Sequence, residues 1–222
     1  MCFMFTFLIN NANIIMIFVW EFIAIFALLR YFEFSFLKKI SWNILIFIAT
    51  TLNILYPILL SWGQYIVWTY TEITRVLLVS PLAPNVPLPW FASYLRPYLE
   101  QPHGYFVFYI FNHFFLTTIV LLLVVVFLFI LLLIWSAYKP LNFKKGDIFA
   151  IVLSFLIVGW PGVIVLIPIV FLLLILLSLI NKIRRKENNI SLVFMFLFIT
   201  PFVVLLTIPL LNIFNLYTLV KI

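Results

Sequence analysis

The chain has 222 residues, of which 67% are hydrophobic, 20% aromatic and 9% charged, with Phe alone at 27 positions. Globular domains carry about 25% charged and about 45–50% apolar residues, so a mean hydropathy of +1.31 belongs to a chain solvated mainly by lipid. This excludes a nucleic-acid-binding domain, a secreted disulfide scaffold and a disordered tail. The expected fold class is all-α, a multi-pass transmembrane helical protein with five or six membrane segments.

The first apolar run covers residues 14–29, after a polar Asn10-Asn11-Ala12-Asn13 step, and stops at Arg30. Residues 30–39 alternate aromatic and charged side chains, which suits a short connection at headgroup level. A second span is predicted over residues 41–68, kinked at Pro57, whose missing N–H frees a backbone carbonyl. Residues 71–104 break the pattern, with six of the twelve prolines and four charges of balanced sign (Glu72, Arg75, Arg96, Glu100). This segment reads as a Pro-rich interfacial loop, with short helices over 71–79 and 90–99 and an extended stretch over Pro84–Pro89. Residues 105–135 then form a long uncharged span, longer than a perpendicular crossing needs.

Residues 148–180 are apolar but are interrupted by Gly159-Trp160-Pro161-Gly162, and residues 191–216 form the last span. Read as one kinked helix, 148–180 gives five segments. Read as a hairpin broken at Pro161-Gly162, it gives six. With the hairpin, Arg30, Lys38, Lys39, Lys139, Lys144, Lys145, Lys182, Arg184, Arg185 and Lys186 share one side, ten basic residues against Arg75 and Arg96 on the other. Five spans give six against six, so the positive-inside rule favours the hairpin. Its arms, about 14 and 18 residues, fall short of the about 20 that a span normally needs.

Thirteen Lys+Arg against six Asp+Glu give a net charge of +7. Because the basic residues sit between apolar runs, they read as topological signal and not as a phosphate-binding surface. Cys2 is the single cysteine, which leaves no internal disulfide and no cysteine metal cluster. The first basic residue is Arg30, so the start of the sequence has neither the charged opening of a secretory signal nor an Arg-rich transit pattern. Insertion from the compartment of synthesis is expected. Phe, Ile, Asn, Lys and Tyr abound while Gly is 5, a bias of A+T-rich genomes. In composition the chain resembles the Phe-rich, mitochondrially encoded membrane reading frames of protists such as ciliates. The resemblance implies an organelle-encoded, multi-pass protein of the inner mitochondrial membrane.

No phosphate loop, metal-spaced cluster or Ser-His-Asp arrangement is present, so no catalytic residue, no metal and no redox cofactor is expected. His103 and His113, placed on one helix, would stand about 15 Å apart along the axis and could not grip one metal ion. Glu21 falls in the middle of the first span, where a carboxylate calls for a partner; structural pairing, protonation in place and proton transfer all stand open. Lys182, Arg184, Arg185 and Lys186 are candidates for an anionic lipid headgroup such as cardiolipin, or for a topology anchor. Arg75, Trp90, Arg96 and His103 are candidate contacts of the Pro-rich loop with neighbouring chains. The seams of small residues that let transporter helices pack closely look absent, with only five glycines.

The function expected from these features is a noncatalytic integral subunit of a mitochondrial oxidative-phosphorylation complex, either a respiratory-chain electron-transport complex or the ATP synthase. Its partners would be other membrane subunits and phospholipids, with no nucleic acid. The alternative is a small membrane transporter or protein-insertion factor built around Glu21 and the Pro161-Gly162 break.

Overall fold

The computed structural model describes residues 2–34, 37, 39–138, 146–183 and 191–213, and of residues 2–10, 90 and 91 the backbone alone. Among the described residues the regular elements are helices: α1 (Cys2–Tyr31), α2 (Trp42–Tyr70), α3 (Glu72–Val79), α4 (Arg96–Leu99), α5 (Gly104–Ile110), α6 (Leu116–Tyr138), α7 (Asp147–Val158), α8 (Gly162–Ile183) and α9 (Leu192–Ile213). A 3-10 turn, Trp90–Leu95, precedes α4, and a π turn, Phe111–Phe115, joins α5 to α6 in one continuous run. Five stretches are long and apolar enough to cross a membrane: Asn11–Tyr31, Trp42–Tyr70, Gly104–Tyr138, Gly162–Ile183 and Leu192–Ile213. α7 is apolar but has only 12 residues, about 18 Å of helix against the about 30 Å of a hydrocarbon core.

The chain divides into two compact units, one from Met1–Asn13 and Ile54–Thr117, the other from Ile14–Asn53 and Thr118–Lys221. In the second unit the short α7 is the centre. Residues Ala150 to Ile157 are all buried, as expected for a helix that is apolar on every side. In lipid, apolar burial gives little drive for helix association, so close packing and polar contacts must hold the unit together. Alanines provide the close approach: Ala24 and Ala27 of α1, Ala49 of α2 and Ala150 of α7 are at most 1% exposed in one continuous core. The small-residue seams that five glycines led one not to expect are therefore present as alanine. Buried hydroxyls are satisfied within their own helices: Ser154 donates to the Ala150 carbonyl, Thr200 to Phe196 and Thr207 to Val203.

The direction of α7 follows from two contacts with α9. The Phe155 ring meets Phe196 edge-on at 5.4 Å, and Gly162 abuts the Thr207 hydroxyl. Phe196 and Thr207 lie about 16 Å apart along α9, so the chain advances with α9 through α7 and then turns back into α8. A straight α7–α8 helix would place Phe155 far beyond Thr207. The turn is built from Gly159, at φ 69° and ψ 177° where essentially only glycine is found, followed by a cis Trp160–Pro161 bond.

α7 also runs alongside α2. Gly146, before α7, lies against the Trp42 indole at the start of α2, and the Asn53 amide nitrogen donates to the Leu156 carbonyl at 3.0 Å. Leu156 is among the last residues of α7, whose carbonyls have no helical partner, so Asn53 caps the end of the buried helix. The same nitrogen donates to the Ala49 carbonyl at 3.0 Å. The Asn53 carbonyl is the one left without an N–H by Pro57, and the Thr118 hydroxyl of α6 approaches it at 3.4 Å, a long, weak contact.

In the first unit, Trp68, Leu78 and Phe106 form a small core with Tyr105 and Tyr109 packed on it. The polar step at Asn10–Asn13 lies within α1, and the Tyr56 hydroxyl donates to Asn13 Oδ1. The stretch expected to be extended over Pro84–Pro89 instead starts with a turn: the Val86 N–H bonds the Ala83 carbonyl, with Pro84 and Asn85 at the corners. Proline at the first corner presets the backbone angle a turn needs. Gly104 has no substitute there, since a Cβ would fall 1.6 Å from the Leu99 carbonyl oxygen.

Candidate functional site

Three groups of side chains carry what polar chemistry the described residues offer. In the second unit, one end of the bundle collects helix termini. The Tyr31 hydroxyl at the end of α1 donates to Ser191 Oγ at 2.9 Å, just before α9. The Arg30 guanidinium lies 4.2 Å over the Trp42 ring at the start of α2, and its Nε donates to the Ile40 carbonyl. α6 runs opposite to α2 and α7, because Thr118 is level with Asn53 while the Phe129 ring is 6.1 Å from that of Phe149 near the start of α7. Hence α1, α6 and α8 end where α2, α7 and α9 begin. Arg30, Lys39 and Lys182 belong to this end. Arg184, Arg185 and Lys186, with Lys38, Lys139, Lys144 and Lys145, lie outside the described residues.

Glu21 is on α1 in the middle of the Asn11–Tyr31 span. On α1 it stands between the buried Ala24 on one side and the exposed Phe18, Phe22 and Ile25 on the other. The residue is half-buried, yet its Oε1 has no accessible surface and no donor among the described residues.

In the first unit the polar residues of the Pro-rich segment close the chain on itself. His103 is left-handed (φ 72°); its N–H bonds the Val79 carbonyl at 3.1 Å and its Nδ1 meets the Leu78 carbonyl at 2.9 Å, which caps the end of α3. A carbonyl only accepts, so Nδ1 carries the proton. Arg96 donates from Nη1 to the Pro84 carbonyl at 2.6 Å and from Nη2 to Val86 at 2.8 Å, and is 3.5 Å from Glu100 Oε1. Arg75 donates to the Thr69 carbonyl at the end of α2 and lines a shallow, open groove with Glu72, Val76, Val79 and Ser80. Trp90 starts the 3-10 turn, and its side chain lies outside the description. His113 sits in the π turn, stacked 4.1 Å from Tyr109, with Nδ1 toward the Tyr109 carbonyl. His103 precedes α5 while His113 follows it, so the two are not on one regular helix. Among the described residues no three His, Cys, Asp or Glu side chains gather to hold a metal ion.

Sequence reasoning did not single out Asn53, Thr118 or the buried alanines. A signal for Asn53 was present: it stands four residues before Pro57, where a carbonyl must lose its donor.

The fold and its apolar exterior define a multi-pass helical membrane protein. Comparison with protein-family models, curated proteins and solved structures finds no match to this chain.

Proposed function

We propose that this protein is a noncatalytic integral subunit of an oxidative-phosphorylation complex in the inner mitochondrial membrane, where it contributes structure, assembly contacts and bound lipid. The observation that carries the reading is the apolar exterior of its membrane helices. Between 11% and 44% of an 18-residue apolar window in each crossing stretch is buried within the chain, and Phe18, Phe22, Phe47, Leu123 and Phe127 are exposed. Such surfaces suit burial among lipids and other subunits. The A+T-biased, Phe-rich composition supports organellar synthesis. The polar inventory is spent on architecture: Arg75, Arg96 and His103 each bond backbone carbonyls of their own chain.

The basic residues of the three connecting segments favour an anionic lipid such as cardiolipin, with Lys182 and the Arg184-Arg185-Lys186 cluster as headgroup ligands. The same charge directs these segments to the matrix. The transporter or insertion-factor reading draws on the unpartnered Glu21 oxygen and on the break after α7. Against it, the helix that leads into that break is a packed core element, with Ile151, Leu153, Leu156 and Ile157 at no more than 1% exposure.

The test is the mass and composition of the particle that contains this chain after mild solubilisation of native membranes. Comigration with a respiratory-chain complex or the ATP synthase, with their subunits identified by mass spectrometry, is the expected result. A free monomer or homodimer would remove the proposal and favour a transporter.

A further inference from the structure

We infer that the α1 face around Glu21 is the seat of a neighbouring subunit's membrane helix, which presents a lysine or arginine to the Glu21 carboxylate at mid-membrane depth. The inference rests on the subunit reading and adds the surface and the chemistry of the partner.

Phe18, Glu21, Phe22 and Ile25 recur at helical spacing and form one stripe of α1. Phe18, Phe22 and Ile25 are 70%, 69% and 51% exposed, so the stripe is uncovered by its own unit. Glu21 stands at its edge and is partly exposed there; its enclosed Oε1 finds no donor among the described residues, so its own unit does not neutralise the carboxylate. An ionised carboxylate at that depth is costly unless paired, and intramembrane acids normally face a bundle interior or a partner. The described cations of the unit do not serve. Arg30 is about 14 Å further along α1 and is held by Trp42 and the Ile40 carbonyl, while Lys39 and Lys182 belong to the same basic end. Charge complementarity therefore selects a basic side chain, and the aromatic stripe around it supplies the apolar contact that a docked helix needs.

The test uses native membranes. Dicyclohexylcarbodiimide labels protonated carboxyl groups in apolar surroundings and leaves ion-paired ones. In the intact assembly the Glu21 peptide should carry about tenfold less adduct than in the same chain after detergent dissociation, the factor for about 1.4 kcal/mol of pairing. Electron cryomicroscopy of the assembly should place a lysine or arginine of another chain beside the carboxylate. Equal labelling in both states, lipid alone beside Glu21, or pairing with Lys221 of the same chain would overturn the inference and leave the subunit reading standing. A chain that leaves the membrane free of partners would overturn both.

Discussion

The Asn53 side chain reaches across 103 residues to donate to the Leu156 carbonyl at 3.0 Å, joining α2 to the closing turn of the buried α7. Asn53→Leu removes that donor and strands a carbonyl in an apolar core, which costs about 1–3 kcal/mol where no water can replace it. The expected loss is about 1–2 kcal/mol, since hydrogen bonds in membrane helices fall toward the low end. Unfolding in mixed detergent micelles, followed by circular dichroism, measures it. Unchanged stability would mean that Asn53 does not cap α7.

Two glycines are expected to fail for different reasons. At Gly104 a Cβ would overlap the Leu99 carbonyl, so Gly104→Ala must displace backbone and should open the His103–α3 connection. At Gly159 no atom lies within 4 Å of a Cβ, and Gly159→Ala pays only for its backbone conformation, about 1–3 kcal/mol. Limited proteolysis within residues 71–104 should accelerate for Gly104→Ala and remain unchanged for Gly159→Ala. The reverse order would contradict the assignment of the two turns.

Arg96 holds the Pro84 and Val86 carbonyls with two different nitrogens, a geometry that a single ammonium cannot reproduce. Arg96→Lys should loosen the turn almost as much as Arg96→Met, with cleavage between residues 81 and 89 about fivefold faster, the factor for about 1 kcal/mol. The Glu100 contact is half-exposed and contributes little. Glu100→Gln is expected to be silent in the same assay.

Replacing Lys182, Arg184, Arg185 and Lys186 together by glutamine should strip cardiolipin from the purified protein, because each basic charge near the surface contributes about 1 kcal/mol to anionic lipid. Native mass spectrometry reads the bound lipid directly. Full retention of cardiolipin would reduce the cluster to a topology anchor.

The fold class was legible because long apolar runs have few structural alternatives, and Gly159-Trp160-Pro161-Gly162 is a visible interruption. The burial of α7 was not, since a short run that is apolar on every side looks the same facing lipid or facing other helices. The small-residue seams are built from alanine, which a low glycine count does not reveal. At Pro84-Asn85 proline's dislike of helix suits an extended strand and a turn equally, and the Arg96 contact to the Pro84 carbonyl, twelve residues away, is not visible in the local sequence. Glu21 stood out by depth alone, whereas its position between a packed core and an exposed aromatic stripe required the arrangement of α1 within its unit.

The account turns on the reversal between α7 and α8, which brings the basic helix ends of the second unit together on one face. Lys39→Cys, Lys144→Cys and Lys186→Cys, each made with Cys2→Ser and probed with a membrane-impermeant maleimide in mitoplasts and in inverted inner-membrane vesicles, test it most directly. All three are expected to react only in the inverted vesicles, from the matrix face. Labelling of positions 144 and 186 from opposite faces would show that the chain crosses once between them, and would contradict the account.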